Sequence, residues 1–379
     1  LRGGGCAASK PADDQQLPAF IQDLDSRAAP ALRGVHAGVS VGWLKRFAMD
    51  ERCKGLSTLD VVQQFVKPAT KERKCRYVTL LAEQEPSAVG KAKVFLSHTW
   101  RAPFRDLAAA AARVLPDEAF VWVDVFAVLQ WNAEDGLSAA LVQEKAEDLD
   151  FAAVVGATDA LLLVGMHVPE VEAISIGDVF AHRAPESAKL VCAFFRVWCL
   201  VELATALREE KPVVMLVGAA DEEGAFVPND GMLPNLQHAL DVSQAVASVE
   251  ADRERILDDI RRTVGIDAVN SLCKGAVMGA QGMGECEVQR AAFGDEAPLA
   301  AVRDREKLEG ALRAAAAGGW MAPLGALLAR PEEVGLEAAD KYGTTALILA
   351  AQGGHAAAIK ALIKAGASVE AVDGDGWTA

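Results

Sequence analysis

Between Lys91 and Gly218, short apolar runs alternate with stretches of helical periodicity. Val94-Phe95-Leu96 is followed by a helical Asp106–Leu115, then by Phe120-Val121-Trp122-Val123. A polar loop around Asn132–Gly136 leads to a helical Leu141–Ala153 and the run Ala160–Val164, and a helical Leu200–Leu207 precedes Val213–Val217. Runs that are apolar at every position suit strands covered on both faces, and helices between them make parallel pairing possible. The pattern predicts a doubly wound α/β unit with a parallel sheet. The longest apolar stretch, Phe151–Val168, is cut by Gly156, Thr158, Asp159 and Gly165 and divides into two elements, not a membrane span.

The flanks are patterned differently. Arg2 to Asp25 mixes Gly, Ala, Ser, Pro and charge without period and is expected to be a flexible leader. Apolar clusters then recur at Val41–Leu44, Val61–Val66 and Tyr77–Leu81, and no chemistry is evident in them. Thr58 and Asp60 look like a helix start before Val61, with Pro68 closing it. Beyond a Gly/Pro/Asp loop, Asp221–Pro234, the positions Leu236, Leu240, Val249, Ile256, Ile260 and Val264 fall at helical spacing among charges. The expected division is a leader at 1–25, an N-terminal region of unassigned role at 26–88, the α/β unit at 89–220, a helical extension at 221–300 and a repeat region at 301–379.

Composition narrows the function. The 379 residues carry 38 Lys+Arg against 53 Asp+Glu, a net charge of −15 that disfavours phosphate backbones and anionic lipid. Neither nucleic acid nor membrane is expected as a partner. Seven scattered cysteines without a CxxC pair fit reduced thiols in a cytoplasmic protein, with no zinc or other metal site. The chain opens on Leu1 and stops inside a motif, so it reads as a fragment.

That last motif is a repeat. Asp340-Lys341-Tyr342-Gly343-Thr344-Thr345-Ala346 recurs as Asp373-Gly374-Asp375-Gly376-Trp377-Thr378-Ala379, at an offset of 33. With Ala350-Ala351, Gly353-Gly354-His355, Ile359, Leu362-Ile363 and Gly366-Ala367 between them, the segment resembles an ankyrin repeat. Leu308–Leu328 resembles a degenerate preceding unit, while Ala346 and Ile348 stand where the usual motif has proline and histidine. The resemblance implies an all-α array that recognises a protein partner and continues past Ala379.

A second resemblance lies in the α/β unit. Val94-Phe95-Leu96-Ser97-His98 resembles the first strand of a TIR (Toll/interleukin-1 receptor) domain, and Arg196-Val197-Trp198-Cys199-Leu200-Val201-Glu202-Leu203 resembles its later S-x-W-C-x-x-E-L element, over Ala92 to Gly218. The combination also resembles predicted proteins of unicellular algae. The TIR resemblance implies a flavodoxin-like sheet, self-association, and a role in intracellular signalling. It also implies NAD as a substrate cut at the nicotinamide–ribose bond, with no resident cofactor. Glu202 would then be the catalytic carboxylate, stabilising oxocarbenium character on the ribose, and its place near a helix N-terminus would favour the ionised form. Ser97, Trp100, Arg101, Trp131 and Trp198 are the expected binding residues, Arg101 toward a diphosphate and Trp100 or Trp131 toward a base.

Plainer roles stand beside these. Glu202 can be a solvated helix residue paired with Arg196 or Arg208, His98 a loop-end packing residue, and Cys199 a buried thiol. Trp100, Trp122 and Trp198 can be core aromatics, and Arg101 and Arg105 surface charges. Arg196 replaces the family's serine, the loop Thr99-Trp100-Arg101-Ala102-Pro103 departs from the usual one, and Leu129–Glu147 matches no family loop. No GxGxxG or GxxxxGK[ST] follows any apolar run, so a phosphate-cradling glycine loop lacks support. The alternative to an enzyme is a scaffold that self-associates through the TIR-like part and binds partners through the repeats.

Overall fold

The computed structural model describes residues 36–174, 186–280, 286–374 and 376–379. The leader expected at 1–25 lies outside the described residues. Strands β1 (Ala37–Ser40), β2 (Val89–Lys91), β3 (Val94–Ser97), β4 (Phe120–Trp122), β5 (Ala160–Gly165), β6 (Val213–Ala220) and β7 (Phe226–Pro228) form one sheet in the order β2-β1-β4-β3-β5-β6-β7. The central strands β4, β3, β5 and β6 are parallel, while β1, β2 and β7 join antiparallel. Every residue of β5 is buried, as expected of a strand covered on both faces.

Three helices matter most for the sheet. They are α1 (Phe104–Val114), α2 (Phe151–Ala157) and α3 (Val197–Arg208). α1 packs on β6, and α3 packs on β3, β5, β6 and α2. The expected helix over 141–153 is two: Ala139–Asp148, then α2, which starts where the Asp150 carboxylate accepts from the Ala153 N–H and caps a new first turn.

Three further differences from the sequence pattern have physical causes. The sheet draws β1 from residues 37–40, ahead of the 89–220 segment, because Val39 pairs with both Val89 and Val121 and the central strands alone would leave β4 an open edge. The Asp221–Pro234 loop contains β7, which folds back on β6 across a turn at Gly224, whose φ of +83° suits glycine. Pro68 does not end its helix. Ser57 and Asp60 cap the start reciprocally, and a wider turn over Val62–Val66, in which the Lys67 N–H reaches Val62 O, carries the chain past the proline into Lys67–Thr70.

After the sheet, the amphipathic pattern at 236–264 resolves into Leu233–Ala239 and Glu250–Thr263. Asp241 separates them: its carboxylate accepts from Ser243 N–H at 2.9 Å and from Asn270 Nδ2 at 3.2 Å, bonds that compete with continued helix. Two helix pairs follow, α4 (Arg305–Ala317) with α5 (Met321–Leu328), and α6 (Ala346–Gln352) with α7 (Ala356–Ala365). α4 stacks on α6 and α5 on α7. The pairs do not stand apart from the sheet. Trp320, wholly buried, donates from Nε1 to Val213 O of β6 at 3.0 Å, and one continuous apolar core runs from β1 to α7.

Candidate functional site

The TIR-like motifs meet at the C-terminal end of β3. In chain order the parallel strands are arranged second, first, third, fourth, so the connections leave β3 on opposite sides, and ligands of such sheets bind outside the strand ends at that divide. Ser97 closes β3 there, paired with Leu163 of β5. The Ser97 hydroxyl donates to Glu202 Oε2 at 2.6 Å, and the Cys199 thiol, one turn earlier on α3, donates to His98 O at 3.3 Å. Two segments 105 residues apart are thus bonded through the residues that carry the two motifs.

The electrostatics differ from the expectation. Glu202 is only 6% exposed and is the sixth residue of α3, beyond the reach of the helix dipole. Burial pushes its carboxyl up to about 8, the Ser97 hydrogen bond opposing and the nearby Asp124 charge adding to it. Glu202 is therefore a neutral acid at pH 7 rather than a fixed carboxylate. It is also neither solvated nor paired with Arg196, whose Nη2 donates instead to Ser248 Oγ at 2.6 Å.

Around this pair lies a partly satisfied polar cluster. Asp124, just past β4, accepts from Trp100 Nε1 at 2.6 Å, while its other oxygen lies 4.0 Å from His98 Nε2, and neither of those two atoms has a hydrogen-bond partner among the described residues. The His98 side chain is 4% exposed and burial holds its pKa below the usual histidine range, with Asp124 and a Leu96 backbone hydrogen bond opposing. Cys199 is buried, and burial raises its thiol well above the ordinary value. A nucleophilic thiolate role is disfavoured by that environment.

The expected binding residues are dispersed. Ser97 touches Glu202, and Trp100 joins through Asp124. Trp198 packs edge-on against Phe151 with Arg255 over its ring, tying it to the aromatic core of Phe95 and Trp122. Arg101 is exposed. Trp131 sits elsewhere, donating to Thr70 Oγ1 at 2.9 Å beneath Lys67. His98 and Asp124 were not among the expected site residues; for Asp124, an acid directly after the run Phe120-Val121-Trp122-Val123 was the available signal. Among the described residues no group of three His, Cys, Asp or Glu side chains is placed to hold a metal ion, and no helix is long and apolar enough to cross a membrane.

The second candidate surface is the turn face of the helix pairs. Asp340 N–H donates to Thr344 O at 3.1 Å, and Asp340 Oδ1 accepts from Thr344 N–H at 2.9 Å. Asp373 and Trp377 repeat both bonds, at 3.0 and 2.9 Å, and Gly374 N–H joins the turns through Tyr342 O at 2.8 Å. The first turn holds Tyr342 65% exposed. The two bonds the turns share are what a stacked repeat requires. No curated protein and no solved structure matches the chain, and the TIR-like and algal resemblances rest on the motifs alone. The ankyrin-repeat family matches residues 342–374, and the chain carries an ankyrin repeat there.

Proposed function

We propose that this protein is a signalling scaffold that binds a protein partner through its ankyrin face, with the TIR-like unit as a self-associating platform. The carrying observation is the ankyrin-type turn at 340–344, which presents Tyr342 to solvent on a stack fixed to the sheet by Trp320. Exposed aromatics on a preorganised surface bury large area at small entropic cost, as interface anchors do. The strand order and the position of WCxxEL on α3 support the flavodoxin-like, TIR-like part of this reading. The protein should retain partners that cross-link to residues 340–345. Tyr342→Ala should lose those partners at least tenfold with an unchanged circular dichroism spectrum. Equal retention by the variant excludes this face.

A second reading, NAD cleavage through Glu202, is favoured by the Ser97–Glu202 contact at the divide of the sheet. Its carboxyl must first lose the proton it holds up to about pH 8, so nicotinamide release would rise tenfold per pH unit below 8 and level off above it. Glu202→Ala should abolish that release. Equal release from parent and variant, or a rate flat from pH 6 to 8, removes the catalytic role.

A further inference from the structure

A cavity of about 270 Å³ is walled on one side by the helix Ala297–Ala301 with its flanks, and on the other by α5 and the turn after it. It shares no residue with the Ser97–Glu202 contact or with the turn at 340–344. Leu299 and Leu327, both buried, give it an apolar lining, and Glu296, Arg303, Arg330 and Glu333 complete the wall. Drug-sized ligands fill about 300–1,000 Å³, so this volume suits a smaller molecule.

The charged groups are not equivalent. Arg330 is engaged on every side. Its Nε and Nη2 donate to the Glu333 carboxylate at 3.1 and 2.7 Å. Nη2 also donates to Val302 O at 2.7 Å, and Nη1 to Leu299 O at 3.4 Å. That pair braces the wall and is neutral as a unit. Glu296 and Arg303 are exposed, and among the described residues neither enters an ion pair. The backbone sets their spacing. Ala300 N–H donates to Glu296 O at 2.9 Å, and Arg303 folds back so that its Nη1 donates to Ala300 O at 2.6 Å. The guanidinium is thereby anchored one helical turn, about 5.4 Å, along the backbone from Glu296. Among the described residues its Nε and Nη2 make no hydrogen bond and stay available as donors.

An anion and a cation one turn apart, beside an apolar lining, are complementary to a small molecule that carries both charges and an aliphatic body. A ligand of one sign alone would bring a like charge against one of them. We infer that this cavity binds a free α-amino acid with an aliphatic side chain. Its ammonium donates to the Glu296 carboxylate, its carboxylate accepts from the Arg303 fork, and its side chain covers Leu299 and Leu327. The site asks nothing of Glu202 or Tyr342, so it stands whether or not the protein cleaves NAD or binds a partner through its turn face.

The test is calorimetric titration of the protein with L-leucine. The parent should bind one leucine saturably. Glycine, which has both charges without the side chain, should bind at least tenfold more weakly. The same loss is expected for isoamylamine, which lacks the carboxylate, and for isocaproate, which lacks the ammonium. Glu296→Gln changes an exposed side chain outside any ion pair, so the fold is kept, and it should weaken leucine at least tenfold. Arg303→Gln should do likewise. A parent that does not bind leucine, a Glu296→Gln variant that binds it as the parent does, or isoamylamine binding as tightly as leucine overturns the inference. If Arg303→Gln loosens the helix that it braces, the Glu296→Gln comparison alone decides.

Discussion

Replacing Glu202 with Gln should stabilise the protein at pH 8 and leave it nearly unchanged at pH 4.5. The carboxyl has an ordinary value of 4.5 and is raised to about 8 in the folded chain, chiefly by burial. Between those values the native state keeps a proton that the unfolded state has released, so stability falls as pH rises through that window. Below it both states are protonated, and above it the penalty is constant. Converted at about 1.4 kcal/mol per unit, the penalty at pH 8 is on the order of 3–5 kcal/mol. Gln keeps the shape and an acceptor for Ser97 without the titration. Asp106, raised mainly by burial, drives the same trend, and His98, lowered mainly by burial, opposes it only on the acid side of the normal histidine range. Urea unfolding of parent and Glu202→Gln at pH 5 and pH 8 measures the effect. Parallel pH profiles for the two proteins would show that Glu202 is not a buried neutral acid.

Trp320→Ala should be the most damaging single change in the repeat region. The side chain is wholly buried where the first helix pair meets β6, and its loss leaves a large void and an unpaired Val213 carbonyl. Such truncations cost about 3–5 kcal/mol, with a further ~1 kcal/mol for the orphaned acceptor. Trp320→Phe should recover most of the packing but not the bond. The close fit also requires Gly318, where an added Cβ would lie 2.5 Å from the Trp320 ring. Because the tryptophan joins two structural units, Trp320→Ala should lower the unfolding midpoint of both when each is followed by hydrogen exchange. A loss confined to residues 305–365 would mean that the helix pairs and the sheet unfold independently.

Much of the α/β unit was legible because continuous apolar runs identify buried strands without reference to partners. Val94–Leu96, Ala160–Val164 and Val213–Val217 lie within the central parallel strands, and the split of Phe151–Val168 at Thr158 falls between α2 and β5. β1 and β7 were not legible. Each is three or four residues long and takes its strand character from its neighbours in the sheet. The candidate site was half legible. The Ser97 and Glu202 motifs stood out in the chain, but Trp131, whose ring offered only its chemistry, packs against the Lys67–Thr70 helix.

The sequence by itself determined the periodic features: the strands covered on both faces, the 33-residue repeat and the acid on α3. Those depend on spacing along one chain, which local geometry converts directly into a face or a turn. Tertiary structure decided protonation, pairing and attachment. Glu202 is neutral because sheet and helix together exclude water from it, Arg196 Nη1 is buried without a hydrogen-bond partner among the described residues, and Trp320 finds its acceptor 107 residues away. Desolvation and long-range hydrogen bonds are properties of an enclosed volume, and that volume exists only once the distant segments have met.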